Sequence, residues 1–103
     1  MRLLQHRWGQ YMAVVARRLE ESLRRQEVLN PTPTRRGVVE LRFGIAPDGS
    51  VVDLVFVHVP DGMAVERGIC ERTVREAGPF PPLMPEMQRD ENFGRLTVRV
   101  FFL

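Results

Sequence analysis

The chain has 103 residues, 44% of them apolar and 27% charged, with a formal net charge of +2. A single domain of this size buries roughly 60–70% of the surface its unfolded chain exposes and so can support its own core, while no stretch reaches the ~18 apolar residues that a membrane span requires. Cys70 is the only cysteine, which excludes an internal disulfide, and with it and the distant His6 and His58 no ligand cluster of metal-site spacing exists, so neither metal nor cofactor is expected.

The opening MRLLQHRWGQYMAVVARR carries Arg2, His6 and Arg7 through its apolar region and lacks the continuous apolar run of a signal peptide. Instead Leu4, Trp8, Tyr11, Met12, Val15, Leu19 and Leu23 recur at three- and four-residue steps, predicting an amphipathic helix from about Leu3 to Glu27 with Gly9 as a weak point. Glu20 with Arg24, and Glu21 with Arg25, stand four apart in the favourable order for helix ion pairs. NPTPT, residues 30–34, ends the helix because proline lacks a donor and biases its predecessor to extended backbone.

Val39, Leu41, Phe43 and Ile45 then alternate with Val38, Glu40, Arg42 and Gly44, the period of a half-buried strand. APDGS follows as a hairpin turn: Pro47 presets φ, Asp48 can bond locally, and Gly49 can take positive φ. The second strand, Val51 to Val59, is apolar on both faces except for Asp53 and His58, so its register is open; Leu54 and Phe56 are expected to face the core. Asp61 is the candidate cap of a second helix whose apolar stripe holds Ile69, Cys70, Thr73, Val74 and Ala77 and which Gly78 closes.

Pro79, Pro81, Pro82 and Pro85 follow within seven residues. Such a run terminates the helix, keeps an extended path without orphaned donors, and lets Phe80 reach back to the core. A polar loop, MQRDENFG, leads to RLTVRVFFL, in which Leu96, Val98, Val100 and Phe102 alternate with Arg95, Thr97 and Arg99 as a third strand. The expected fold is α+β, in the order helix, strand, strand, helix, strand. A helical crossover of right-handed sense gives a three-stranded antiparallel sheet of order 2-1-3, with two helices on one face and Glu40, Arg42, Thr97 and Arg99 on the wet face. Strands two and three are its edges, and the third carries no proline to protect it.

GVVELRFGIAPDGSVVDLVFVHVPDG, then a helix, then EAGPFPPLMP, then LTVRVFFL, resembles the C-terminal domain of the TonB family and its TolA-like relatives, over Gly37 to Leu103. The specific features are the strand, PDG turn (Pro47, Asp48, Gly49) and strand, followed at the right distance by the element Pro79, Phe80, Pro81, Pro82 and Leu83. The resemblance divides the chain into an N-terminal helix and linker, 1–36, packed on a domain of 37–103. It departs from the pattern in having no Tyr-Pro motif before the first strand, a histidine (His58) where a small residue is usual, and a lone Cys70 where some TolA domains have a disulfide, so the subgroup stays open.

What the resemblance implies is a periplasmic domain of an inner-membrane-anchored energy transducer, whose anchor and linker lie outside this chain and connect it to inner-membrane motor proteins. Its partner would be an extended segment of an outer-membrane TonB-dependent transporter or another envelope protein, added as a strand beside Arg95, Leu96, Thr97, Val98, Arg99, Val100, Phe101 and Phe102. The same edge could instead join two copies as a homodimer, or serve a cytoplasmic interaction module. Catalysis is not expected, since no nucleophile stands with a base at usable spacing. A nucleic-acid module is the further alternative. Residues 1–36 hold eight Arg against three Glu, while 37–103 hold seven Arg against ten acids, so the first helix is basic. Sheets that bind RNA display aromatic side chains, however, and here only Phe101 is expected on the open face.

Overall fold

The computed structural model describes residues 9–29, 31, 33–90 and 95–103. Helix α1 spans Gly9–Leu29, strands β1 and β2 span Gly37–Ile45 and Val51–His58, and helix α2 spans Ala64–Ala77. A single-turn helix α3, Pro85–Gln88, precedes strand β3, Arg95–Phe102. The sheet has the order β2-β1-β3 with both pairings antiparallel. The part of the first-helix stripe carried by Leu4 and Trp8, the Asn30 and Thr32 positions of the linker and much of the loop before β3 lie outside the described residues.

Alternation on β1 sets the core. Val39, Leu41, Phe43 and Ile45 are buried, and they cluster with Ile69, Cys70, Val74 and Ala77 from the apolar stripe of α2 and with Val100 and Phe102 from β3. On the opposite face Glu40 and Arg99 stand directly across from one another and form an ion pair with Nε to Oε1 at 2.7 Å. Helix α1 lies along α2 and buries Val15, with Tyr11, Leu19 and Leu23 packed against the core. Its stripe continues into two buried polar residues: Ser22 Oγ donates to the Thr73 carbonyl at 2.7 Å, and Gln26 donates to Glu76 while accepting from Arg72 Nε. These bonds satisfy groups that burial would otherwise leave costly.

Several expectations change. The ion pair formed on α1 is Arg17 with Glu21, at 4.0 Å and largely exposed, and neither Glu20–Arg24 nor Glu21–Arg25 closes. Arg24 and Arg25 stand in solvent, where pairing adds little and side-chain entropy opposes it. Asp61 does not cap α2. The cap position is Met63, without a side-chain bond, because Gly62 at φ +79° turns the chain once more after Asp61 before the helix begins. The acid that matters is Glu66, 2% exposed, whose Oε2 accepts the Arg35 N–H at 2.9 Å and so pins the linker to the first turn of α2. Pro85 does not extend the proline passage but opens α3 at a first-turn position, where a missing donor costs nothing.

The open register of β2 has a specific resolution. Leu41 pairs with Phe56, Arg42 with Val55 and Gly44 with Val52, so β2 carries an extra residue beside Asp53, which sits at φ +54°. A second shift separates the Leu41–Phe56 and Glu40–His58 pairs. The first bulge changes the parity of the strand, so that Val51, Leu54 and Phe56 all pack on the core although they are not evenly spaced. Val52, Val55 and Val57 are left exposed.

Candidate partner-binding edge

Strand β3 owes its position to the proline passage. Gly78 ends α2 in extended backbone, and the Gly78–Pro79 peptide is cis. Phe80, 2% exposed, stacks on Phe43 with ring centroids 6.2 Å apart. The passage then binds the β1–β2 turn through its backbone: Phe80 N donates to the Gly49 carbonyl at 2.8 Å and Leu83 N to the Pro47 carbonyl at 2.9 Å. The turn is itself tied by Asp48 Oδ1, which accepts from Ser50 N at 3.0 Å and from Ser50 Oγ at 2.6 Å. Those bonds favour the carboxylate and hold the Asp48 carboxyl below its ordinary pKa.

Helix α1 grips the same passage from the other side. Arg18 Nη1 donates to the Pro79 carbonyl at 2.6 Å, and the Tyr11 hydroxyl donates to the Pro81 carbonyl at 2.8 Å. Burial pushes the Tyr11 pKa up, opposed by the nearby Arg18 charge. The residues of the two motifs, separate in the sequence, thus form one unit: Pro47, Asp48 and Gly49 on the turn, Phe80 and Leu83 buried beneath, and Pro79 and Pro81 as acceptors, with Pro82 in solvent.

From this anchor β3 runs back along β1 in unbroken register, from Gly44 opposite Arg95 to Gly37 opposite Phe102. Leu96, Val98, Val100 and Phe102 face inward, whereas Arg95, Thr97, Arg99 and Phe101 are exposed, Phe101 at 63%. Because β1 is the central strand, the outer edge of β3 pairs with no strand among the described residues. The two edges of the sheet therefore differ. Bulges break the ladder of β2, while β3 keeps an unbroken register with β1 and so repeats its outward donors and acceptors evenly. Arg99 is engaged with Glu40, and Arg95 is the other exposed cation of β3.

Other candidate groups are not assembled into a site. Cys70 lies in the core, where burial and then the Glu66 charge push its thiol pKa up to about 12. His58 is exposed at the end of β2, and His6 lies outside the described residues. No group of three His, Cys, Asp or Glu side chains that could hold a metal occurs among the described residues. No described helix is long and apolar enough to cross a membrane. Arg67 lies over the half-buried Phe56 ring at 4.7 Å, and among the described residues Phe101 is the exposed aromatic of the sheet.

No family model matches the chain, and no curated protein does. Among solved structures the chain is similar to the HasB C-terminal domain, with a TM-score of 0.51 and 21% identity over 94% of this chain and 70% of that one. At that identity the likeness is one of fold, and the fold is of the TonB-like C-terminal-domain kind.

Proposed function

We propose that this chain is the periplasmic partner-binding domain of a TonB/TolA-like energy transducer, and that it holds an extended segment of an outer-membrane transporter or other envelope protein as a fourth strand on β3. The observation that carries the reading is the contrast of edges: β3 is in register along its whole length and its outer side pairs with no strand among the described residues, and β2 is bulged. An added strand gains main-chain bonds at alternate residues and draws selectivity from alternate side chains. The TonB-like fold supports the same reading.

The mechanical logic follows from the connections. Force from an inner-membrane motor would reach the domain through α1, which is fastened to the proline passage by Tyr11 and Arg18 and to α2 by Ser22 and Gln26. It would leave through β3, whose ladder with β1 runs along the strand, so that a pull along it loads the bonds together in shear. The linker between α1 and β1 is itself held by the Glu66–Arg35 bond. An NMR titration with an extended peptide, at low and at high salt, tests the reading. Amide shifts centred on Arg95 to Phe102 that persist in salt are expected, because backbone pairing carries little net charge. Shifts confined to Arg17, Arg18, Arg24 and Arg25 that vanish in salt would refute it and point to anion binding by the basic helix.

A further inference from the structure

Beneath the free edge of β3 runs an apolar groove of about 400 Å³, walled by Ala16, Leu19 and Leu23 of α1, Val74 of α2, and Val98 and Val100 of β3. Helix α1 lies alongside the strand without closing onto it, leaving Leu19, Leu23 and Val98 only half-buried. In a strand added to β3, the residues opposite Val98 and Val100 point to the same face as those two valines, and so enter this groove. Their neighbours, opposite Thr97 and Arg99, point to the outer face.

The charges around the groove are complementary to one arrangement of such a strand. Glu20 of α1 and Arg99 of β3 are the charged residues that line it, and at its floor the Thr73 hydroxyl is buried with no hydrogen-bond partner among the described residues. An inward acid would meet the Glu20 charge on the rim and lose its hydration against the apolar walls. On the outer face Arg42, Arg95 and Arg99 are exposed, with Glu40 engaged by Arg99. An acid opposite Thr97 falls on the diagonals to both Arg95 and Arg99.

Resting on the edge-strand reading above, we infer that the groove between α1 and β3 selects the bound segment: aliphatic side chains at two alternate positions inward, opposite Val98 and Val100, and acidic side chains at the intervening positions outward. The segment is recognised by this alternation, and α1 is part of the binding site rather than a support behind it.

Three peptides test this by NMR titration on the whole chain: aspartate alternating with valine, aspartate alternating with alanine, and lysine alternating with valine. The aspartate–valine peptide should bind about tenfold more tightly than either of the others, the loss of two inward aliphatic groups or of the outward charge match each being of that order. Valine also favours extended chain, so the decisive comparison is a cycle with Ala16→Phe, which fills the groove and leaves the β3 backbone untouched. That variant should bind the valine and alanine peptides alike. Where Ala16→Phe does not fold, Leu19→Ala serves instead: it enlarges the groove and should turn the preference from valine toward leucine. Equal affinity of valine and alanine peptides with β3 amides still shifting overturns the groove and leaves the edge reading standing. No β3 shift with any peptide removes both. Concentration-dependent shifts of Leu19 and Val98 without peptide would assign the groove to a second copy of the chain and overturn the inference.

Discussion

Gly49→Ala isolates the contact on which the placement of β3 depends. Gly49 sits at φ +92°, and a Cβ built there would lie 1.8 Å from the Phe80 carbonyl oxygen and 2.8 Å from its carbon. Neither neighbour is a flexible side-chain end, so the proline passage must lift from the turn. That breaks the Phe80–Gly49 and Leu83–Pro47 hydrogen bonds, at about 1 kcal/mol each. The left-handed backbone adds about 1 kcal/mol for a residue with a Cβ. Partial withdrawal of Phe80 from Phe43 adds about 1–2 kcal/mol, a fraction of the cost of deleting a buried ring. The expected loss is about 4–5 kcal/mol, a large part of the whole stability of a domain this size. Gly62→Ala is the control, since Gly62 is also at positive φ, +79°, but its Cβ would meet the Nη1 end of Arg35, which can swing aside. It should cost only about 1 kcal/mol. Urea unfolding followed by far-ultraviolet circular dichroism compares the two. Equal losses would refute the close approach of turn and passage, and with it the account of how β3 is positioned.

Phe80→Ala, which removes a ring 2% exposed and stacked on Phe43, should cost about 3 kcal/mol in the same melts; a loss below about 1 kcal/mol would place the ring at the surface and make it a recognition residue. Cys70 should react slowly with Ellman's reagent in the native state and rapidly in urea, and fast stoichiometric labelling of native protein would contradict its burial. Its thiol pKa is raised from 9.0 to about 12, so the native state keeps a proton that the unfolded state loses across that window. The contribution is therefore fully present below about pH 9 and declines as pH rises toward 12; Cys70→Ala should flatten the alkaline slope of stability, and an unchanged slope would show that the thiol does not couple to folding.

Periodicity alone marked both long helices and two of the three strands, while α3 was not foreseen and the register of β2 stayed open. Steps of three and four residues mark the stripes of α1 and α2, steps of two mark β1 and β3, and the handedness of a helical crossover orders the sheet as 2-1-3, because each of these depends on neighbours along the chain. The candidate edge was legible for the same reason: an alternating strand without proline, placed at the side of the sheet by that handedness. What the tertiary structure decided was every relation between distant residues. The side chain of Asp53 gives no sign of a bulge, which arises because Val51, Leu54 and Phe56 must all reach one core. Glu66, Ser22 and Gln26 carry no sign of burial in the sequence and are buried, since their partners, the Arg35 N–H, the Thr73 carbonyl and Glu76, come from other elements. The proline run and the PDG turn each read as a connection. Only their docking, with Gly49 lacking the Cβ that would keep Phe80 away, makes them one anchor. The groove beneath β3 is likewise invisible in sequence, because it is the space that α1 and β3 leave between them, and no residue encodes a gap.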